Sequence, residues 1–273
     1  MSEAADPCAA LIREADPDRF ATARLAGPLA PRLTALYAFN LEVARIPSVV
    51  SEPMLGEIRL QWWRDAVDEI FAGQTPRRHE VVEPLAETIR AARLPQDHFE
   101  ALLDARSYDL VGPAFDDAPL LRAYLDGTSG RLMQLAALAL EATPEEAAAA
   151  RRFGRGAGLG ALIRARPALY ARGADPIPTP APLDRNALAE GRTPEALQAT
   201  LRPLAKEALQ DLAKARKTEL RPQVRPAVLA GWRAEAALIA AARPGFDLFH
   251  GLPAPSEFRR RGGLALRVLL GRW

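Results

Sequence analysis

The chain has few of the residues that build common functional sites. Its 273 residues include one cysteine, Cys8, and three scattered histidines, which excludes a disulfide framework and a cysteine- or histidine-based metal site. The net charge is only +2, too weak a field to indicate a nucleic-acid partner. No apolar run approaches the ~18 residues that a transmembrane helix needs. The acidic first twenty residues also lack the apolar core of a secretory signal. We therefore expect a protein of a reducing compartment.

Helix formers supply most of the apolar volume. Hydrophobic residues make up 49% of the chain and aromatic residues only 6%, so alanine and leucine dominate, and both favour helices. Apolar residues recur at three- and four-residue spacing between prolines and glycines, as in Leu55, Ile58 and Trp62. The pattern predicts one all-α domain over residues 1–273, with about the first 15 residues loose. Helices are expected over 31–46, 52–72, 83–92, 97–110, 116–140, 143–166, 193–218, 226–242 and 256–270.

One segment near the N-terminus resembles a known enzyme family. Residues 35–39, Ala-Leu-Tyr-Ala-Phe, are similar to a helix entry of the squalene/phytoene synthase family, whose active members continue with an aspartate-rich run. In this register Ala44, Arg45 and Ser48 take the positions of the carboxylates, and Pro47 falls in the same window. Mg²⁺ prefers hard oxygen ligands, and an arginine repels it. The resemblance therefore implies that this magnesium site is lost.

A second segment shows the same departure from that family. Leu162-Ile163-Arg164 fits the entry to the second aspartate-rich motif, but Ala165 and Leu169 take the acid positions. Pro167 is expected to interrupt the helix there, because proline lacks an N–H group. We expect no catalytic residue and no metal or other cofactor; Mg²⁺ enters only if the chain is an active enzyme whose acids lie elsewhere.

Other stretches resemble a narrower branch of the family, the non-catalytic mitochondrial complex I assembly factors. They are residues 38–42, 50–52, 58–63, 162–167 and 246–250. The resemblance implies an isoprenoid-synthase-like bundle around a central cavity, and a role in assembly of complex I (NADH:ubiquinone oxidoreductase) at the membrane surface. The expected partner is a complex I subunit or an assembly intermediate. The expected location is the bacterial cytoplasm, either free or peripheral on the inner membrane.

Two other functions stay open at this point. One is an active head-to-head prenyltransferase, and the other is a module that binds an isoprenoid or a phospholipid in the old substrate cavity. Guanidinium groups bind phosphate without a metal, which makes the arginines near the former diphosphate region candidate ligands. We also expect Ala44, Ser48, Ala165 and Leu169 to face the cavity. The candidate ligand-binding residues are Tyr37, Tyr124, Arg131, Arg164 and Arg166.

Three further patterns each allow a functional and a structural interpretation. Asp65, Asp68 and Glu69 could replace the lost acidic cluster, but such a run is more typical of a solvated helix face. The glycine-rich residues 154–160 superficially suggest a phosphate loop, although their helical context favours close helix packing. The basic and apolar residues 257–273 either lie on an anionic bilayer or close the core with one face.

Overall fold

The computed structural model describes residues 6–111, 115, 117–171, 177–178, 190, 192–248, 250, 252 and 255–273. All regular elements in these ranges are helical, as the composition predicted. A 3₁₀ turn spans Gly27–Leu29 and a π-helical turn spans Asp126–Gly130. The α-helices are α1 (Pro7–Ala15), α2 (Pro17–Arg24), α3 (Ala30–Ala44), α4 (Ile46–Val49), α5 (Pro53–Phe71), α6 (Val82–Ala92), α7 (Gln96–Val111), α8 (Ala118–Leu125), α9 (Arg131–Ala139), α10 (Pro144–Tyr170), α11 (Glu195–Ala215), α12 (Arg225–Leu229), α13 (Ala234–Ala241) and α14 (Glu257–Leu269).

Helix α10 is the central element and packs against α9, the π-helical turn, α11 and α13. Its start is fixed by a capping box between Thr143 and Glu146. Glycines then allow neighbours on different sides to approach closely. A Cβ atom on Gly156 would lie 2.8 Å from the Ala208 carbonyl, and one on Gly160 would lie 2.8 Å from the Ala234 Cα. The packing interpretation of the glycine-rich run is therefore confirmed.

The first helix is not loose over its described length, which corrects the expectation for about the first 15 residues. Cys8 and Ile12 on α1 are fully buried, and α1 packs against α3. Asp6 fixes the start, because one carboxylate oxygen accepts from the Ala9 N–H at 3.1 Å and the other from the Thr34 hydroxyl at 3.0 Å. Asp-Pro steps at 6–7 and 16–17 carry the N-cap and first-turn signals that foretell these helices.

Two of the predicted helices differ from the structure in where they break. The helix expected over 116–140 runs without a break from Ala118 to Ala139 and contains a π-helical turn at Asp126–Gly130, whereas the one expected over 226–242 is divided between α12 and α13. Helix α10 continues through Pro167 to Tyr170, although an interruption was expected. A proline removes one hydrogen bond, and here buried Arg166 holds the same turn by donating to the Leu248 carbonyl at 3.2 Å.

Candidate functional site

A cavity of about 100 Å³ lies between α2, α3, α9, α10 and the α12–α13 turn. Small and apolar groups such as Ala157, Gly158 and Met133 form one side of it. The other side is charged, so the cavity is not apolar throughout. Its polar lining residues are Asp16, Asp18, Arg19, Tyr37, Ser129, Arg164 and Arg233.

Both carboxylates of the cavity are already paired with arginines. One carboxylate oxygen of Asp18 accepts a hydrogen bond from the Arg233 guanidinium at 3.0 Å. The other lies 3.6 Å from the guanidinium of Arg260 on α14. Asp16 accepts from the backbone N–H of Arg19 at 3.0 Å, as the N-cap of α2, and lies 3.5 Å from the Arg19 guanidinium. These acids therefore fix the positions of the arginines and leave the lining with an excess of positive charge.

Two polar groups in the wall have no partner of their own. The Tyr37 hydroxyl is buried and makes no hydrogen bond within the described residues, and burial is the first cause that raises its pKa. Half-buried Arg164 has no carboxylate within ion-pair distance in the part of the chain that the structure describes. Burial and then the nearby Arg233 lower the pKa of Arg164. A hydrogen-bond donor and an unpaired cation in one cavity wall can accept a small anion such as a phosphate group.

Residues 44–48, the first window where the resemblance expects acids, lie at the end of α3 and do not face this cavity. Helix α3 ends at Ala44, and exposed Arg45 forms an ion pair with Glu42 at 2.7 Å. Ser48 is also exposed, and its hydroxyl donates to the Arg45 carbonyl at 2.7 Å. Pro47 starts the short helix α4. The expectation that Ala44 and Ser48 face the central cavity is therefore wrong, because the chain leaves the cavity wall where α3 ends.

Residues 165–169, the second window where the resemblance expects acids, also lie outside the cavity lining. Ala165 is exposed and Leu169 is half-buried, and neither is a lining residue. Ala157, Ala161 and Arg164 line the cavity from one face of α10. At about 100° per residue Ala165 lies only about 40° round the helix from Ala161, but it is one turn further along α10, past the cavity, and is exposed there. The register places an alanine where the family has an acid, but our expected orientation was wrong.

Among the five candidate ligand residues, the structure brings only Tyr37 and Arg164 into the cavity. Arg166 is wholly buried against the Leu248 carbonyl and the Tyr170 ring. Arg131 instead donates to Gln134 at 3.1 Å, beside the ring of His98.

Tyr124 belongs to a buried network rather than to the cavity. Its hydroxyl donates to Asp109 at 2.7 Å and accepts from Arg106 at 3.0 Å. Arg106 also pairs with Asp109 at 3.0 Å and donates to Asn40 at 3.1 Å. This network joins α3, α7 and α8.

The donor groups of the described residues do not fit a magnesium cluster. No three His, Cys, Asp or Glu side chains lie together in a metal-binding arrangement within the described ranges. The run that might have replaced the lost acids is engaged elsewhere: Glu69 binds Arg77 through two hydrogen bonds of 2.7 and 2.8 Å, and Asp65 accepts from Gln61 at 2.7 Å. This supports the solvated-face interpretation of that run.

Sequence reasoning missed Asp16, Asp18, Arg19 and Arg233 as cavity residues. The first three lie just after the segment that was expected to be loose, where no helix was predicted, and Arg233 lies in a turn between two helices. The Asp16-Pro17 step could have revealed the α2 start. Nothing in the local pattern of Arg233 indicates its contact with Asp18, 215 residues away.

The sequence model described as squalene/phytoene synthase matches residues 12–261. The chain belongs to the squalene/phytoene synthase family. Solved structures agree on the fold. Squalene synthase HpnC from Alicyclobacillus acidocaldarius superposes with a TM-score of 0.72 at 19% identity, covering 88% of this chain and 93% of its own. A dehydrosqualene synthase in complex with ligand superposes with a TM-score of 0.75 at 15% identity, covering 97% of this chain and 94% of its own. The chain thus has the all-α isoprenoid-synthase-like fold.

Curated relatives carry a different functional name. The protein from Mus musculus called NADH dehydrogenase (ubiquinone) complex I, assembly factor 6 is 28% identical over 162 residues, 59% of this chain and 48% of the relative. The Bos taurus protein of the same name is 29% identical over 163 residues, again 59% and 48%. The chain spans about half the length of the curated relatives that it matches.

Proposed function

We propose that this chain is a non-catalytic member of the squalene/phytoene synthase family that acts in assembly of respiratory complex I at a membrane surface. Its partner is a complex I subunit or an assembly intermediate. It works from the bacterial cytoplasm, at the inner membrane. No cofactor enters the proposal. The names of the relatives support the assembly role, and the two altered acid windows support the absence of catalysis.

The observation that carries the proposal is the chemistry of those windows. In the first, Ala44, Arg45 and Ser48 stand where the resemblance expects magnesium-binding carboxylates, and Arg45 is paired with Glu42. In the second, Ala165 and Leu169 offer no oxygen ligand. Ionisation of an allylic diphosphate leaves a highly charged group that needs hard cations. This chain's own residues cannot gather such cations at either window.

The size of the cavity supports the same conclusion. About 100 Å³ is well below the roughly 300–1,000 Å³ typical of pockets for drug-sized ligands. A head-to-head prenyltransferase must hold two isoprenoid chains side by side, so the enzyme alternative would need both a larger cavity and new metal ligands.

A second candidate function is favoured by one specific observation: the Tyr37 hydroxyl, which has no hydrogen-bond partner among the described residues, lines the same cavity as Arg164. This pair can hold a phosphate group without turning it over, as a lipid-binding module would. Calorimetric titration with inorganic diphosphate tests the site. Binding that disappears in Arg164→Gln, but persists in the exposed control Arg78→Gln, supports it; equal binding by both variants contradicts it.

Gene deletion in the source bacterium tests the assembly function. We expect assembled complex I on native gels, and membrane NADH:ubiquinone activity, to fall several-fold and to recover when the wild-type gene is restored. Succinate:ubiquinone activity is the control and should stay constant. Normal complex I together with altered isoprenoid products would instead support the prenyltransferase alternative.

A further inference from the structure

Helix α14 presents its apolar side chains to the outside of the molecule. None of its thirteen residues is fully buried, and Phe258 and Leu269 are 85% and 83% exposed. Leu266 and Leu270 are more than half exposed. At about 100° per residue, Phe258 and Leu269 fall on the same side of the helix. Exposed large apolar side chains are ordinary when they are scattered, but a contiguous face marks an interaction surface.

Contacts on the inner side fix this orientation. Arg260 lies 3.6 Å from Asp18, and Gly263 packs against the ring of Trp232. Beyond the helix, buried Trp273 makes an edge contact with Phe153 at 5.2 Å. Its carbonyl accepts from Arg216 at 2.6 Å. Because both ends are attached to the body, the apolar side cannot simply rotate inward.

The interpretation that this segment closes the core is therefore only partly correct. Leu264 does pack against the core. A helix that closes the core would also bury Val268 and Leu269, but these side chains are 40% and 83% exposed.

The charges beside the apolar face have one sign. Residues 257–273 contain five arginines and a single acid, Glu257. That acid is neutralised by Arg260 and Arg261 at 3.0 and 2.9 Å. Arg259, Arg261 and Arg272 remain exposed at the rim of the apolar face. An apolar face with a basic rim is complementary to an anionic bilayer, whose phosphates lie above its hydrocarbon.

A second apolar surface shows the contrast. On α5, Met54 and Ile58 are 71% and 60% exposed, but Glu52 and Glu57 are exposed beside them. Unpaired carboxylates repel an anionic surface. With the exposed Arg59 beside these two acids, this face has no excess of positive charge, and it serves as an internal control.

We propose that α14 docks flat on an anionic lipid bilayer, with Phe258 and Leu269 below the headgroups and Arg259 and Arg261 at the phosphates. None of the described helices is long and apolar enough to cross a membrane, so this docking lies in the plane of the surface. The inference rests on the membrane-surface part of the proposed function and names the surface that performs it.

Co-sedimentation with vesicles tests the docking. The full chain should pellet with vesicles of phosphatidylcholine containing phosphatidylglycerol, less with phosphatidylcholine alone, and less as salt rises. The variant Phe258→Gln/Leu269→Gln should reduce the partition coefficient by about tenfold or more. The matched control Met54→Gln/Ile58→Gln should not change it.

Charge reversal tests whether vesicle binding depends on the arginines at the rim of the face or only on the net charge of the protein. Arg259→Glu/Arg261→Glu should weaken binding to the anionic vesicles by about tenfold or more. Arg78→Glu/Arg243→Glu, which changes two other exposed arginines, should weaken it much less. Equal loss of binding in both variants overturns the proposal. Failure of the wild type to pellet with any vesicles also overturns it, and the exposed face would then be a binding surface for a protein.

A site-specific label shows which face touches lipid. The single native cysteine, Cys8, is fully buried, and burial raises its pKa to about 12, so it will not react with a thiol label. An environment-sensitive dye on Leu269→Cys should shift to the blue with anionic vesicles, and the same dye on Met54→Cys should not. A shift at Met54→Cys alone would assign the docking to α5 and overturn the proposal.

The result is distinguishable from failure of the assembly function. If vesicles bind through α14 while gene deletion leaves complex I intact, the assembly function fails and the docking inference stands. If gene deletion lowers the amount of assembled complex I but the wild-type chain does not bind anionic vesicles, only the docking inference fails.

Discussion

The Arg45 guanidinium lies 2.7 Å from the carboxylate of Glu42 at the last turn of α3. The pair stands at the window where the resemblance expects magnesium-binding carboxylates. Glu42 is nearly buried, and its second oxygen has no hydrogen-bond partner among the described residues. An arginine therefore provides at this place the positive charge that a metal would otherwise bring.

We predict that the protein makes no detectable squalene or phytoene from farnesyl or geranylgeranyl diphosphate with Mg²⁺ or Mn²⁺. Neither acid window offers the oxygen ligands that hold these ions on a diphosphate. Product analysis by gas or liquid chromatography checks this, with an active dehydrosqualene synthase run in parallel. Turnover that is lost in Asp65→Ala/Glu69→Ala would restore the enzyme interpretation.

Two buried tyrosines should respond oppositely to removal of the hydroxyl. Tyr124→Phe should lower the free energy of unfolding by about 1–2 kcal/mol, because its hydroxyl bonds to both Asp109 and Arg106. Tyr37→Phe should leave it unchanged or raise it slightly, since that hydroxyl has no partner in the described structure. Urea unfolding of both variants measures the difference. A loss of equal size in Tyr37→Phe would show that this hydroxyl is satisfied.

Glu146 should make stability depend on pH in the acid range. Hydrogen bonds from Arg221 are the main cause that lowers its pKa from 4.5 to about 2. A lowered pKa in the folded state gives stability that is present above about pH 4.5 and is lost as the pH falls toward 2. Glu146→Gln should therefore lower the free energy of unfolding by about 2 kcal/mol at pH 7 and flatten its pH dependence below 4.5. Exposed Glu145→Gln is the control and should do neither.

Two helical glycines should respond to alanine with opposite signs. Gly156→Ala places a methyl group 2.8 Å from the Ala208 carbonyl, which should destabilise the protein by about 1–3 kcal/mol through overpacking. Gly262→Ala meets nothing within 4 Å and should stabilise it by about 0.5–1 kcal/mol, since alanine is the better helix former. Thermal unfolding of both variants checks the pair.

The helix starts expected at residues 116 and 143 agree with the structure to within two residues, because neighbours in sequence determine them. The Thr143–Glu146 capping box and the Asp117 cap of α8 lie within a single turn. The continuation of α10 through Pro167 was missed because the contact that holds this turn is made by Leu248, far along the chain.

The sequence by itself determined the all-helical class, the family and the identity of the residues in the two windows where the resemblance expects acids. Composition, periodicity and residue identity are local properties that need no packing. Tertiary structure alone decided which side chains meet. The charged cavity joins Asp18 to Arg233 across 215 positions. The direction in which α14 faces depends on ion pairs and on the burial of Trp273. A hydrophobic pattern shows that a helix has two faces, but only its packing partners determine which face remains outside.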